Sequence, residues 1–174
     1  MGEVARWGQA MTYLGLDPGA KGAIAIITAG EPRGVLLEEA GLPWVAQLLK
    51  EITVDLAVIE KVGAMPGQGV TSMFTFGENY GKVQGILIAL DVPHDLVHPQ
   101  AWRKEVGLML PAKEKGQERA ARSRAVKEAT VQAAIRRWPS MAQTLQKVKN
   151  WPIADALFLA ECARLRDGVR AETA

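Results

Sequence analysis

The sequence predicts an α/β domain, a mixed five-stranded sheet flanked by helices. Three observations lead there. Two short apolar runs, Tyr13–Leu16 and Ala23–Ile27, stand either side of a turn containing Pro18, Gly19 and Gly22, so the chain opens on a hairpin of largely buried strands. Val54–Ile59 is a nearly continuous apolar run, the pattern of a strand covered on both faces. Segments with apolar residues at helical spacing lie between and after these runs. Hairpin-linked strands followed by helix-connected strands give a sheet of mixed direction.

Taken in order, the hairpin is followed by a turn at Glu31-Pro32-Arg33 and a third strand over Gly34–Ala40. Pro43 opens a helix, since its missing N–H costs nothing in a first turn, and Trp44, Val45, Leu48, Leu49 and Ile52 give it one apolar face. The Val54–Ile59 strand comes next, then a loop of Gly, Pro and Gln to residue 69. A helix from about Val70 to Leu90 follows, carrying Gly77, Gly81 and Gly85 every fourth residue. Each glycine costs about 0.5–1 kcal/mol against alanine inside a helix, so a close approach is expected there, either to the sheet or to the same helix of a second subunit. Asp95–His98 reads as the fifth strand and Gln100–Gly107 as a short helix anchored by Trp102 and Val106. Gln117–Trp138 is a long helix with Ala121, Val126, Ala129, Ala133 and Ile135 inward, and Pro139 ends it. After a connector over Ser140–Lys149, Trp151-Pro152 leads into a last helix, Ile153–Leu165, that buries Ala156, Leu157, Leu159, Ala160 and Ala163. The chain from Arg166 onward is expected to fray.

Two of these buried strands stop on an acid, one on Asp17 and the other on Glu60. An unpaired carboxylate at the end of a buried strand is costly unless a cation meets it. A third acid, Asp155, stands between Ala154 and Ala156 near the start of the last helix, where small neighbours permit close approach to the sheet. Taken singly, Asp17 is a turn acid bonding its own backbone and Asp155 a first-turn acid favoured by the helix dipole. Converged at one edge of the sheet, the three form a hard oxygen donor set suited to Mg²⁺ or Mn²⁺, and such ions in pairs serve phosphodiester hydrolysis.

A chain of 174 residues with 48% hydrophobic and 23% charged content suits one ordinary globular domain that needs no disulfide or structural metal. Its single cysteine, Cys162, excludes an intrachain disulfide and points to a reducing, cytoplasmic setting. Residues 1–11 read as an N-terminal extension without the apolar core of a secretory signal, 12–166 as the domain and 167–174 as a C-terminal tail. The net charge is only +2, but twelve of the basic residues fall between Arg103 and Lys149 against four acids, the pattern of a basic side or, equally, of a solvated helix face.

Leu14-Gly15-Leu16-Asp17-Pro18-Gly19, Val58-Ile59-Glu60-Lys61-Val62 and Ala154-Asp155-Ala156-Leu157 together resemble the three motifs of the RuvC-type Holliday junction resolvases. The stretches Met65–Val70 and His98-Pro99-Gln100-Ala101-Trp102 resemble the phage- and prophage-encoded branch of that family, and the resemblance covers about Thr12 to Arg166. It implies a ribonuclease H-like fold, a homodimer with two active sites, and Mg²⁺-dependent paired nicking of four-way DNA, with Mn²⁺ as a substitute ion. Asp17, Glu60 and Asp155 would be the catalytic metal ligands. The chain departs from the family pattern in two places. A fourth acid or His is expected a turn before the last Asp, where this chain has Asn150, Trp151 and Pro152; Glu161 is a poor replacement, and Lys149 or Asn150 would instead orient water or phosphate. The aromatic expected just after the second motif is Gly63, which leaves Met65, Met73, Phe74 or Phe76 to act at the junction centre, Met65 and Phe74 first among them, with core packing the more expected fate of each Phe. Lys113, Lys115, Arg119, Arg122, Arg124 and Lys149 would track DNA phosphates. A less selective nuclease for branched DNA or RNA–DNA hybrids, or a catalytically weak DNA-binding module of the same fold, is compatible with the same residues. An actin-like kinase or ATPase also opens on an Asp-x-Gly hairpin but needs a second domain for which the chain has no room.

Overall fold

The computed structural model describes residues 10–19, 21–61, 63, 69–112, 116 and 118–173. The N-terminal stretch through residue 9, Met65, Lys113 and Lys115 lie outside the described residues.

Five strands, β1 (Thr12–Asp17), β2 (Ala23–Thr28), β3 (Glu31–Leu36), β4 (Leu56–Glu60) and β5 (His94–Val97), form one sheet in the order β3-β2-β1-β4-β5. The three hairpin-linked strands pair antiparallel, whereas β1–β4 and β4–β5 are parallel. The helices are α1 (Leu37–Ala40), α2 (Leu42–Glu51), α3 (Val70–Ala89), α4 (Pro99–Glu105), α5 (Arg119–Arg137), α6 (Ala142–Leu145) and α7 (Trp151–Thr173). Strand periodicity sends alternate side chains to opposite faces. Leu14, Leu16, Ile24, Ala57 and Ile59 pack with Val45 and Leu49 of α2 and Val83 and Leu87 of α3. Tyr13, Ala25, Ile27, Leu56 and Val58 pack on the other face with α5 and α7. The mixed sheet with helices on both faces is as the sequence predicts.

Several boundaries and faces differ from expectation. The β2–β3 turn falls at Ala29 and Gly30, both with positive φ (52° and 83°), and Pro32 lies within β3. β3 is an edge strand, where a residue lacking N–H is tolerated. Leu37–Ala40 is a turn of helix instead of strand, and Gly41 at φ 75° separates it from α2. Trp44, expected in the core, is 46% exposed. α5 turns Thr130, Val131 and Ala134 inward, and Ala121 is exposed.

The largest correction concerns the C-terminal end. α7 does not fray past Leu165 but runs to Thr173. Arg166 donates to Glu105 of α4 at 2.6 and 2.7 Å and to Asp95 of β5 at 3.1 Å, while Arg170 reaches Asp95 at 2.8 Å. Asp167 accepts from the Tyr13 hydroxyl at 3.2 Å. These charge-assisted bonds tie the helix end to the sheet.

Gly15 in β1 sets the spacing that matters for function. A Cβ there would lie 1.9 Å from the carbonyl oxygen of Ala156 and 2.4 Å from the nitrogen of Ala160. α7 therefore rests directly on the β1 backbone. The α3 glycines do the opposite of what sheet packing requires, since a Cβ on Gly77, Gly81 or Gly85 would meet nothing within 4 Å.

Candidate active site

Period-two alternation brings the first two carboxylates to one face. Asp17 follows Tyr13 and Gly15 on the α7 side of β1, and Glu60 follows Leu56 and Val58 on the same side of β4. The strands are parallel with Leu16 beside Ile59, so the two acids emerge next to each other at the ends of neighbouring strands. α7, held close by Gly15, brings Asp155 over them. Among the described residues, no group of three His, Cys, Asp or Glu side chains is already arranged to hold a metal ion. The three acids lie within each other's electrostatic field without forming a closed cage.

That field is strong. Burial, followed by the charge of Glu60, pushes Asp17 up to about 6, against the Gly19 N–H that donates to it at 3.1 Å and the nearby cations Lys127 and Arg103. Burial and the charge of Asp17 push Asp155 up to about 7, again opposed by Arg103 and Lys127. Arg103 comes within 3.9 Å of Asp155 Oδ1, beyond hydrogen-bond reach. Both that oxygen and Arg103 Nε are buried without a hydrogen-bond partner. A buried carboxylate oxygen with no donor, next to two further acids, is a donor set that fits a hard divalent cation.

Sequence reasoning missed three contributors. Trp102 is fully buried and its indole N–H donates to Glu60 Oε1 at 3.0 Å. Arg103 sits over the Trp102 ring at 4.8 Å and faces Asp155. Lys127, midway along α5, contributes positive potential at both aspartates. A signal for the first two was present in the topology, because β5 pairs with β4 in parallel and Val97 lies beside Glu60. Whatever follows β5 directly must therefore arrive near that carboxylate.

The other expected residues are scattered. Glu161 is buried away from the acids and held by Arg137 and by Arg164, the latter at 2.8 and 2.9 Å. The Asn150 amide is buried and donates to the Thr144 carbonyl at 2.9 Å, a structural bond and not an approach to water or phosphate at the site. Arg119, Arg122 and Arg124 lie on the first turns of α5. Arg122 is engaged with the carbonyls of Pro111 and Ala112, and Arg124 pairs with Glu128 at 2.9 Å. Lys149 pairs with Glu39 at 2.7 Å. Lys21, Arg124, Lys127, Lys149, Trp151 and Pro152 line a cleft of about 490 Å³. Phe74 is 73% exposed, whereas Phe76 stacks on Tyr80 at 6.2 Å between ring centres. No described helix is long and apolar enough to cross a membrane.

No family model and no curated protein matches the sequence. Among solved structures, the chain is similar to Thermus thermophilus RuvC in complex with Holliday junction substrate, with a TM-score of 0.55 and 14% identity over 91% of this chain and 96% of that one. A second Thermus thermophilus RuvC structure matches with the same TM-score and 16% identity, covering 94% and 98%.

Proposed function

We propose that this chain, which shares the RuvC-type, ribonuclease H-like fold, is a metal-dependent, structure-selective endonuclease that resolves four-way DNA junctions by paired phosphodiester hydrolysis. The observation that carries the reading is the placement of Asp17, Glu60 and Asp155 on one face of the sheet, with an unpartnered buried carboxylate oxygen among them. Asp17, Glu60 and Asp155 would hold Mg²⁺, or Mn²⁺ in its place. When bound, the cation supplies activation of the attacking water and stabilisation of charge on the leaving oxygen. The chain's own residues do the rest. Arg103 and Lys127 offset the acids' charge, and the cleft containing Lys21 and Lys127 offers cations to the phosphates of a strand passing the site. Such contacts position DNA without reading bases, which suits recognition of a branch by its shape.

Paired cleavage calls for two sites, and the outer face of α3 supports a homodimer. Val70, Phe74 and Ile88 are 83%, 73% and 67% exposed, and the open glycine stripe runs between them, permitting close helix approach. In such a dimer the exposed Phe74, at the start of that face, would be the residue to act at the junction centre. The likeness of His98–Trp102 to the phage-encoded branch gives that assignment within the same reading, with the host cytoplasm as its setting.

The decisive experiment compares four-way, forked, flap, duplex and RNA–DNA hybrid substrates with Mg²⁺ and with Mn²⁺. Selective nicking of the four-way substrate that disappears in Glu60→Gln while binding persists is the expected result; wild-type cleavage by that variant sinks the assignment. A second reading, a DNA-binding module with weak catalysis, is favoured by Asn150, whose amide is spent on Thr144 at the place where a fourth acid is expected. Binding of the junction without nicking in either metal would select it.

A further inference from the structure

Glu60 is the one acid of the three that receives a hydrogen bond from a fully buried side chain of another element. The Trp102 indole, with none of its surface exposed, donates from Nε1 to Glu60 Oε1 at 3.0 Å. Buried indoles commonly satisfy their N–H on the nearest acceptor, often a backbone carbonyl; here the acceptor is the terminal carboxylate of β4. The direction of that carboxylate is thereby fixed by a rigid ring with two torsions, itself packed in the core between the sheet and α7.

The ring is in turn held from several sides. His98 receives the N–H groups of Ala101 and Trp102, which sets the first turn of α4 directly after β5. At the other end of α4, Glu105 accepts two bonds from Arg166 and one from the Cys162 thiol at 3.2 Å, binding this short helix to α7, the helix that carries Asp155. Arg103 stacks its guanidinium on the outer side of the indole, and a cation over the ring makes the N–H a better donor. α4 thus touches two of the three acids through consecutive residues, a hydrogen bond to Glu60 and a cation toward Asp155.

We propose that Trp102 is a positioning residue for the acidic site, fixing the orientation of Glu60 so that a divalent cation meets an already directed carboxylate. The proposal rests on the metal-dependent reading above. Donors that orient a metal-binding carboxylate commonly contribute about 10–100-fold in affinity or activity when removed. Phe at the same position retains a buried aromatic ring and lacks the N–H.

The test is Mn²⁺ binding by calorimetry to the full-length wild type, Trp102→Phe and Glu60→Gln, with thermal unfolding in EDTA alongside. The expected result is an Mn²⁺ Kd raised by about 10-fold or more in Trp102→Phe while the metal-free protein still unfolds cooperatively. An unchanged Kd in folded Trp102→Phe overturns the positioning role and leaves the nuclease reading intact; no Mn²⁺ binding by the wild type overturns both. Should Trp102→Phe fail to fold, the indole ¹H–¹⁵N resonances of the wild type decide. The indole signal displaced by Glu60→Gln must be the one that moves during a Mg²⁺ titration, and the absence of any signal responding to both overturns the proposal.

Discussion

Replacing Asp155 by Asn tests whether the acidic site is built at the expense of the fold. In the folded chain burial and the charge of Asp17 hold Asp155 at about 7, against an ordinary value near 3.8. A rise of about three units corresponds to about 4 kcal/mol of preference for the neutral acid at 1.36 kcal/mol per unit. A fifth of the side chain remains open to solvent, so water absorbs part of this. Asn cannot ionise and should stabilise the metal-free protein at pH 8 by about 1–3 kcal/mol. The sign follows from linkage. The folded value exceeds the unfolded one, so the wild type keeps its full stability below about pH 4 and loses it as pH rises through about 7. The advantage of Asp155→Asn should therefore be largest near pH 8 and fade toward pH 4. Urea unfolding in EDTA at stepped pH measures it. Mg²⁺ should reverse the ranking by stabilising only the wild type, by about 4.1 kcal/mol at about 1,000 times its Kd. A variant no more stable than wild type at pH 8, or an advantage that does not change with pH, would refute the reasoning.

Three further outcomes follow from other parts of the molecule. Gly15→Ala puts a methyl group 1.9 Å from the Ala156 carbonyl and should destabilise the fold by about 3 kcal/mol or more while weakening Mn²⁺ binding, both read by unfolding with and without the ion. Lys127→Ala should lower four-way DNA affinity and reduce the slope of log affinity against log salt by about 1, with little change in stability; an unchanged slope removes Lys127 from the interface. Gly81→Leu, where no atom lies within 4 Å of the new Cβ, should leave the monomer fold intact and abolish dimers in sedimentation. A folded, dimeric Gly81→Leu would detach the α3 face from assembly.

Much of this arrangement was legible from residue order. Tyr13-Gly15-Asp17 and Leu56-Val58-Glu60 each step along one face of a strand, so burial of the first two members of each set carries the acid to that same face. The small neighbours of Asp155 marked the close-packed start of the last helix. The approach of Asp155 to the other two acids depends on Gly15, and a glycine inside a strand has no local signature that separates close approach from weakness. Trp102 reads locally as the anchor of a short helix, and its bond to Glu60 joins residues brought together only by the parallel β4–β5 pairing. The β2–β3 turn was misplaced because Ala29 takes a positive φ that alanine seldom adopts, whereas Glu31-Pro32-Arg33 has turn composition. The end of α7 reads as fraying because it is a terminal stretch, and the partners of its charged residues, Asp95 and Glu105, lie on other elements. Those same charges hold it in place.

The contact between the β1 backbone and α7 also has a bearing on biosynthesis. β1 is made well before α7, so the bare strand at Gly15 remains unoccupied until that helix has emerged. At about 5–20 residues per second, the ribosome spends several seconds or more on the intervening chain. The hairpin and β4 can pair during that interval, but the third carboxylate cannot join them. A chain in which α7 has not yet docked therefore lacks the third carboxylate, and the acidic site is completed only when α7 packs on β1.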